Sequence, residues 1–398
     1  MQEARTTDST LNLHRMAVTT AWALGAAAVI GVLWTSAQAP HADYFDAQVQ
    51  LGAVRDLVQG NDPYSKYVQS PLWTYLLLLP LGFLPADVSY PAQFAVNIAL
   101  WYAANVLLLR AAGVPWGPGR TAIAAGLLTI FAPVIWSTRG QVNGYNALGL
   151  GLFLVLLPRR PAWAGAALVL LLAKPHIGFV TLAMLAGWLL LTARWRALAG
   201  AAAAFGGLTT LSLVLRPQWP LQWLTALTHP LPEVVAGRAK FAPTVGYFLG
   251  RWLPAEATTA TGAAAATLTT ATLAFWLLRA RTRITAVELV AISGPAVFLI
   301  TPYSQGYDIS NIVPTLALLA GAQFRQAGRS RWGLVVLGAL VYSFPWAMVR
   351  MNWPQATLLV PAVVCLALAV VCHSALNPTA PPVPAPATPV PSPLVGEG

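Results

Sequence analysis

A chain of 398 residues that is 57% hydrophobic and 9% charged, with a mean hydropathy of +0.63, lies outside soluble globular composition, where about a quarter of residues are charged. Its net charge of +11 comes from arginines in short loops at the ends of apolar runs, a topology signal rather than one aromatic-interleaved patch for nucleic acid. Those runs, roughly 15 to 23 residues each, match the length of a bilayer-crossing helix and not the short alternating segments of a barrel. The expected fold is therefore all-α, a polytopic membrane helical bundle.

Arg5, His14 and Arg15 precede the apolar run Met16 to Trp34, and Ala37-Gln38-Ala39 has the small-residue form of a signal-peptide end. Pro40 would sit just after such a cut, and the run exceeds the roughly 7 to 15 residues of a signal core. The first span is expected to stay attached, with its N-terminus cytoplasmic. Next comes a polar loop, His41 to Pro71. It holds Asp43, Asp46, Asp56 and Asp62, four of only 12 acidic residues in the chain. Within it Phe45, Val49, Ala53 and Leu57 recur at helical spacing, and Gly60 with Asp62-Pro63 supplies a stop, so a short surface helix is expected there.

Arg159-Arg160, Arg194 with Arg196, Arg279 to Arg283 and Arg325 to Arg331 mark inner loops, which leaves the alternate loops outside. Arg110 and Arg120 favour a further inner loop, in conflict with counting both Leu72 to Leu84 and Ala92 to Leu109 as full spans. The segment Leu72 to Leu84, punctuated by Pro71, Pro80 and Pro85, is read as partial or re-entrant and covered by protein. Twelve spans remain, starting near residues 16, 91, 121, 143, 161, 177, 197, 257, 284, 309, 332 and 354; a thirteenth would move the C-terminus outside. These make one integral membrane domain over residues 1–376, with outer loops at 41–71 and 216–256. The second loop, carrying Trp219, Trp223, Trp252, Arg238 and Lys240, suits an interfacial cap. Residues 377–398 are proline-rich and expected to be disordered or extended. Small-residue faces near Ala201 and Ala263 would allow close helix packing. Cys365 and Cys372 lie two helical turns apart, about 10 Å, beyond disulfide reach.

Asp43 is the leading candidate for a catalytic base. It follows the first span by a few residues, which holds its carboxylate at the membrane surface; its structural alternative is an N-cap, with Asp46 three residues on. In Ser137 to Asn143, Gln141 and Asn143 are candidates for sugar hydroxyls and Arg139 for a phosphate, unless the stretch is only a hydrophilic turn. Lys174-Pro175-His176 ends an apolar run, where an ammonium either snorkels or meets an anion. Asp308, closing Pro302 to Asp308, either orients a hydroxyl or caps the next helix, and Glu288 is expected at an inner interface. The five His and two Cys show no metal spacing, and neither a P-loop nor a dinucleotide glycine motif is present. No metal or cofactor is expected, and no soluble nucleotide donor.

The succession Asp43-Tyr44, Gly60-Asn61-Asp62-Pro63-Tyr64, Tyr75 through Pro80-Leu81, Gly140-Gln141-Val142-Asn143, Ala164-Gly165 leading to Lys174-Pro175, and Pro302-Tyr303 to Asp308 resembles glycosyltransferase family 87, of the GT-C superfamily. The resemblance covers roughly residues 40–325 and rests on the order of these motifs. It implies inverting transfer of a sugar, commonly mannose, from a polyprenyl-phosphate donor on the outer face of the cell membrane, with Asp43 as base. The lipid-linked sugar is then a substrate, the acceptor a glycan or glycolipid, and the leaving phosphate is met by Lys174, Arg139 or His176. Tyr44, Asp46, Tyr64, Tyr303 and Asp308 are candidates for holding the acceptor or orienting these groups. A transporter or flippase of lipid-linked sugar is the alternative. Transporters place ionisable residues near the midplane and show repeated halves, whereas here the acids cluster in a loop and no repeat is visible.

Overall fold

The computed structural model describes residues 45–64, 70–128, 140–228, 244–245, 252–301, 304 and 306–325. Among them the chain is helical and has no strand. Helix α1, Phe45–Val58, buries Leu51, Ala53 and Val54. Gly60 ends it in the left-handed region at φ 78°, which lets the Asn61 N–H reach back to the Asp56 carbonyl at 2.8 Å. The Asp62 carboxylate then accepts the Tyr64 N–H at 3.0 Å, a side-chain turn across Pro63.

Helix α2 is Leu72–Gly82 and α3 is Ala86–Ala111. The 11 residues of α2 reach about 16 Å at 1.5 Å per residue, half the thickness of a bilayer core. Helix α2 packs against α1, and α1 runs antiparallel to the start of α3. Arg55 donates to Ser89 Oγ at 2.6 Å near one end of that contact, and Gln93 donates to Gln50 at 3.2 Å nearer the other.

There follow α4, Pro118–Leu128; α5, Asn143–Leu156; α6, Pro161–Ala167, which tightens into a 3-10 segment, Leu168–Ala173; and α7, Pro175–Leu191. Helix α8 is Trp195–Leu215 and α9 is Trp219–Thr228. After α10, Ala255–Ala280, and α11, Ala286–Ile300, a 3-10 turn, Gly306–Ile312, leads into α12, Val313–Arg325.

Among the described residues three helices are long and apolar enough to cross a membrane: α3, α8 and residues Ala257–Ala280 of α10. The spans expected from residues 143, 161, 177, 284 and 309 coincide with helices of 10–17 residues. Breaks in the helical run fall next to these shorter helices, including Gly140–Val142, Lys174 and Thr301. Backbone that leaves the helix in a membrane protein is tolerated where protein covers it. The spans expected from residues 16, 332 and 354, the two cysteines and the proline-rich tail lie outside the described residues.

The main core joins α3, α5, α7, α11 and α12 through Leu108, Phe153, Leu185, Leu289 and Ala317. At the periphery, the most hydrophobic 18-residue windows of α8 and α10 are each only 6% buried, as helices facing lipid would be. Helices α6 and α8 cross closely. A Cβ on Gly165 would meet the Ala197 and Ala201 backbone, and one on Gly200 would meet Ala162. Small residues permit that approach, as expected near Ala201. The face near Ala263 is not used in this way, because α10 leaves it open to the surroundings. At the start of α11, Thr285 and Glu288 form a reciprocal capping box, so Glu288 satisfies backbone amides at a helix end.

Candidate active site at the break before α7

The apolar segment Leu168–Ala173 cannot continue as a regular helix into α7. Pro175 has no N–H to donate, and its ring pushes Lys174 into an extended conformation, φ −134° and ψ 82°. Carbonyls at the end of the segment therefore need other partners. Two come from α2: Trp73 Nε1 donates to the Leu172 carbonyl at 2.9 Å, and Thr74 Oγ1 donates to that of Ala173 at 3.1 Å. The break is thus held in place from outside its own helix.

Lys174, only 7% exposed, turns inward. Its ammonium donates to Gln141 Oε1 at 2.7 Å and stands 2.6 Å from Asp308 Oδ1. Gln141 is presented by a turn at Gly140, where φ is 85°, and the Gly140 carbonyl accepts from Gln93. Asp308, fully buried, comes from the 3-10 turn before α12. Its second oxygen accepts from Ser304 Oγ at 3.3 Å and lies 3.5 Å from His176 Nε2. The turn itself is fixed by Asn311, which donates to the Asp308 carbonyl at 2.7 Å, and by Asn143, which donates to Ser310 Oγ at 2.7 Å.

Helix α1 closes on this cluster from the acidic loop. Ala47 packs where a Cβ on Gly140 would stand, so the first turn of α1 lies on the Gly140–Gln141 turn. Asp46, in that first turn, acts on Lys174 electrostatically.

Five residues singled out in the sequence, Gln141, Asn143, Lys174, His176 and Asp308, thus converge on one network, with Asp46 adjacent. Within it Gln141 and Asn143 are buried and hold Lys174 and the 3-10 turn. The anion that Lys174 requires is supplied within the chain by Asp308. Tyr64 sits instead in an apolar layer with Tyr75, ring centroids 6.1 Å apart. Burial, then the neighbouring Asp62, pushes its phenol well above the ordinary range, with Arg216 opposing, so Tyr64 keeps its proton and is not a base. Asp43, Tyr44, Arg139 and Tyr303 lie outside the described residues.

Sequence reasoning missed Ser304, Ser310 and Asn311, and also a polar stripe on α3. Ser89, Gln93 and Asn97 are buried at four-residue spacing, and Asn97 Oδ1 accepts the Gly144 N–H at 3.0 Å in the first turn of α5. Polar residues recurring every fourth position in an apolar helix lie on one face, and that face belongs inside the protein.

Chemically, one buried ammonium and one buried carboxylate offset each other, and a half-exposed imidazole stands beside them at the N-terminus of α7. A helix N-terminus with a cationic side chain is suited to an anion such as a phosphate.

All-helical architecture, helices of membrane-crossing length and ionisable groups gathered at helix breaks define a polytopic membrane protein with an enclosed polar site. The profile of glycosyltransferase family 87 matches residues 70–302, more than half of the chain. The chain belongs to that family and is a glycosyltransferase. The matched region includes Gln141, Asn143, Lys174 and His176, begins after Asp43 and ends before Asp308. No curated protein matches the chain.

Proposed function

We propose that this protein transfers a sugar, commonly mannose in the family it resembles, from a polyprenyl-phosphate donor to a glycan or glycolipid on the outer face of the cell membrane, with inversion. The observation that carries this reading is the cluster of Gln141, Lys174, Asp308 and His176 beneath the first turn of α1. In this reading the cluster serves as the phosphate-binding corner, and it adjoins the loop that holds a third of the chain's acids.

Asp43 removes the proton from an acceptor hydroxyl. The acceptor oxygen forms a bond to the anomeric carbon, and the bond from that carbon to the phosphate oxygen breaks with its electron pair on the phosphate. Such a displacement needs one base and a stabilised leaving group. The corner built on the Lys174 and Asp308 pair, with His176 at its open side and Arg139 adjacent to Gly140 in sequence, receives the phosphate. Asp308 and Asp46 balance these cations. The wet side of the site faces the acceptor, and the lipid tail of the donor stays in the bilayer.

The test is purified full-length protein with radiolabelled polyprenyl-phosphate mannose and a panel of acceptors, followed as labelled product. Asp43→Asn is expected to reduce turnover by about 10²- to 10⁴-fold, the usual contribution of general-base catalysis, with the protein still membrane-inserted. Asp46→Asn is the control. If its turnover collapses while Asp43→Asn stays near normal, the base is Asp46. Movement of labelled donor across a vesicle membrane without product would replace transfer with transport.

A further inference from the structure

We propose that His176 is the side chain that meets the leaving phosphate, and that the buried Lys174 and Asp308 pair serves to aim it. The proposal rests on the lipid-phosphate donor reading above and assigns roles within that same corner.

Among the described residues the cluster has an inner and an outer part. The Lys174 ammonium is engaged by Asp308 at 2.6 Å and by Gln141 at 2.7 Å, and its side chain is only 8% exposed. A phosphate would have to strip these contacts to reach it. The His176 side chain is 34% exposed, the most open of the three charged or titratable members. Its Nε2 faces Asp308 Oδ2 at 3.5 Å, and by the geometry of the ring this turns Nδ1 away from the carboxylate. The backbone beside it is tied down as well, with Thr301 Oγ1 donating to the His176 carbonyl at 3.4 Å.

Lys174 and Asp308 offset each other, and the His176 ring is the more open hydrogen-bond donor of the corner. Among the described residues the charged groups bearing on it are Asp308 from the 3-10 turn, Lys174 beside it in the chain and, through Lys174, Asp46 from α1. His176 also lies in the first turn of the 17-residue helix α7, where the helix dipole favours an anion. As the sugar-to-phosphate bond breaks, the phosphodiester monoanion becomes a phosphomonoester dianion. The Nδ1–H hydrogen bond strengthens with that charge, and no proton has to transfer. Asp308 and Lys174 are positioning residues in this scheme.

The experiment uses full-length protein in lipid nanodiscs with radiolabelled polyprenyl-phosphate mannose and whichever acceptor supports turnover. His176→Gln keeps an amide donor near the Nε2 position that faces Asp308 but removes the Nδ1–H donor. It is expected to lower kcat by about 10²-fold, the scale of losing one such donor, with a smaller change in donor KM. Polyprenyl phosphate, added as a product inhibitor, should bind this variant more weakly than wild type. The paired change Lys174→Met with Asp308→Asn removes both inner charges and leaves none stranded. It should lower kcat by a similar factor, and adding His176→Gln to it should lower kcat no further, because residues acting as one unit are not additive.

Near-normal kcat and inhibition in His176→Gln overturns the proposal, as does a triple variant whose loss is the product of the two. If the paired variant fails to fold, His176→Gln and its inhibition constant decide alone. Absence of wild-type turnover with every polyprenyl-phosphate sugar overturns the donor reading and this proposal with it, and wild-type activity separates that outcome from a failure at His176.

Discussion

Lys174 and Asp308 meet at 2.6 Å with both side chains withdrawn from solvent, and their contact ties the break before α7 to the turn before α12. Removing one partner from such a pair strands a buried charge, which typically costs about 3–5 kcal/mol, whereas replacing both is often close to neutral. Lys174→Met is therefore expected to lower the thermal unfolding midpoint in detergent clearly, and Lys174→Met with Asp308→Asn to recover most of the loss. Equal destabilisation by the single and paired changes would show that the two charges do not depend on each other.

Gly140 carries two constraints at once. Its φ of 85° disfavours any side chain, and a Cβ there would press on Ala47 in α1. A left-handed residue other than glycine costs about 1–3 kcal/mol before any clash is counted. Gly140→Ala should lower stability by at least that amount and should reduce turnover more steeply, because the displaced turn carries Gln141. Gly52→Ala is the matched control. A Cβ at Gly52 meets nothing, and alanine is the better helix former, so stability should hold or rise slightly. Thermal midpoints and kcat measured together for the two variants check this.

The bonds from Trp73 and Thr74 to the Leu172 and Ala173 carbonyls predict a link between α2 and the site. Trp73→Phe and Thr74→Val each leave a buried carbonyl without that donor, an effect of about 1–3 kcal/mol. Both variants should unfold at lower temperature, and hydrogen exchange should rise around Leu172 to His176 before it rises in the main core. Unchanged exchange in that stretch would mean that the break is held by Lys174 and Asp308 alone.

The proposed topology, drawn from the Arg-rich loops, has the loop around Asp56 on the outer face. A cysteine introduced at Asp56, partly exposed near the end of α1, should react with a membrane-impermeant maleimide in intact cells. Labelling only after the membrane is opened would reverse the orientation and move the proposed acceptor side to the cytoplasm.

The sequence by itself determined the features that depend on composition or on a residue's own backbone chemistry. Its hydropathy required a helical membrane fold. The spacing of Phe45, Val49, Ala53 and Leu57, with Gly60 beyond, required the helix now seen at Phe45–Val58. The short, proline-bounded stretch at Leu72 argued against a full span, and the 11-residue α2 agrees in length. The break at Lys174-Pro175 was visible because proline cannot extend the preceding helix. The stripe of Ser89, Gln93 and Asn97 was equally visible at its four-residue spacing, but it lay unread inside a run taken as a plain span.

Only the tertiary structure decided which polar groups meet. Lys174 could have snorkelled or awaited a ligand, and Asp308 could have been a cap. Their pairing depends on α7 and α12 both packing against α11, a matter of helix crossings that no local period encodes. The same holds for Gln141 beside Lys174 and Asn143 beside Ser310, where two short turns are brought together by α5. A buried polar side chain is satisfied by whatever partner the packed helices bring within reach. The physical reason is that hydrophobic burial fixes the elements without direction, and the hydrogen bonds and charges at their ends then select one arrangement among those the packing allows.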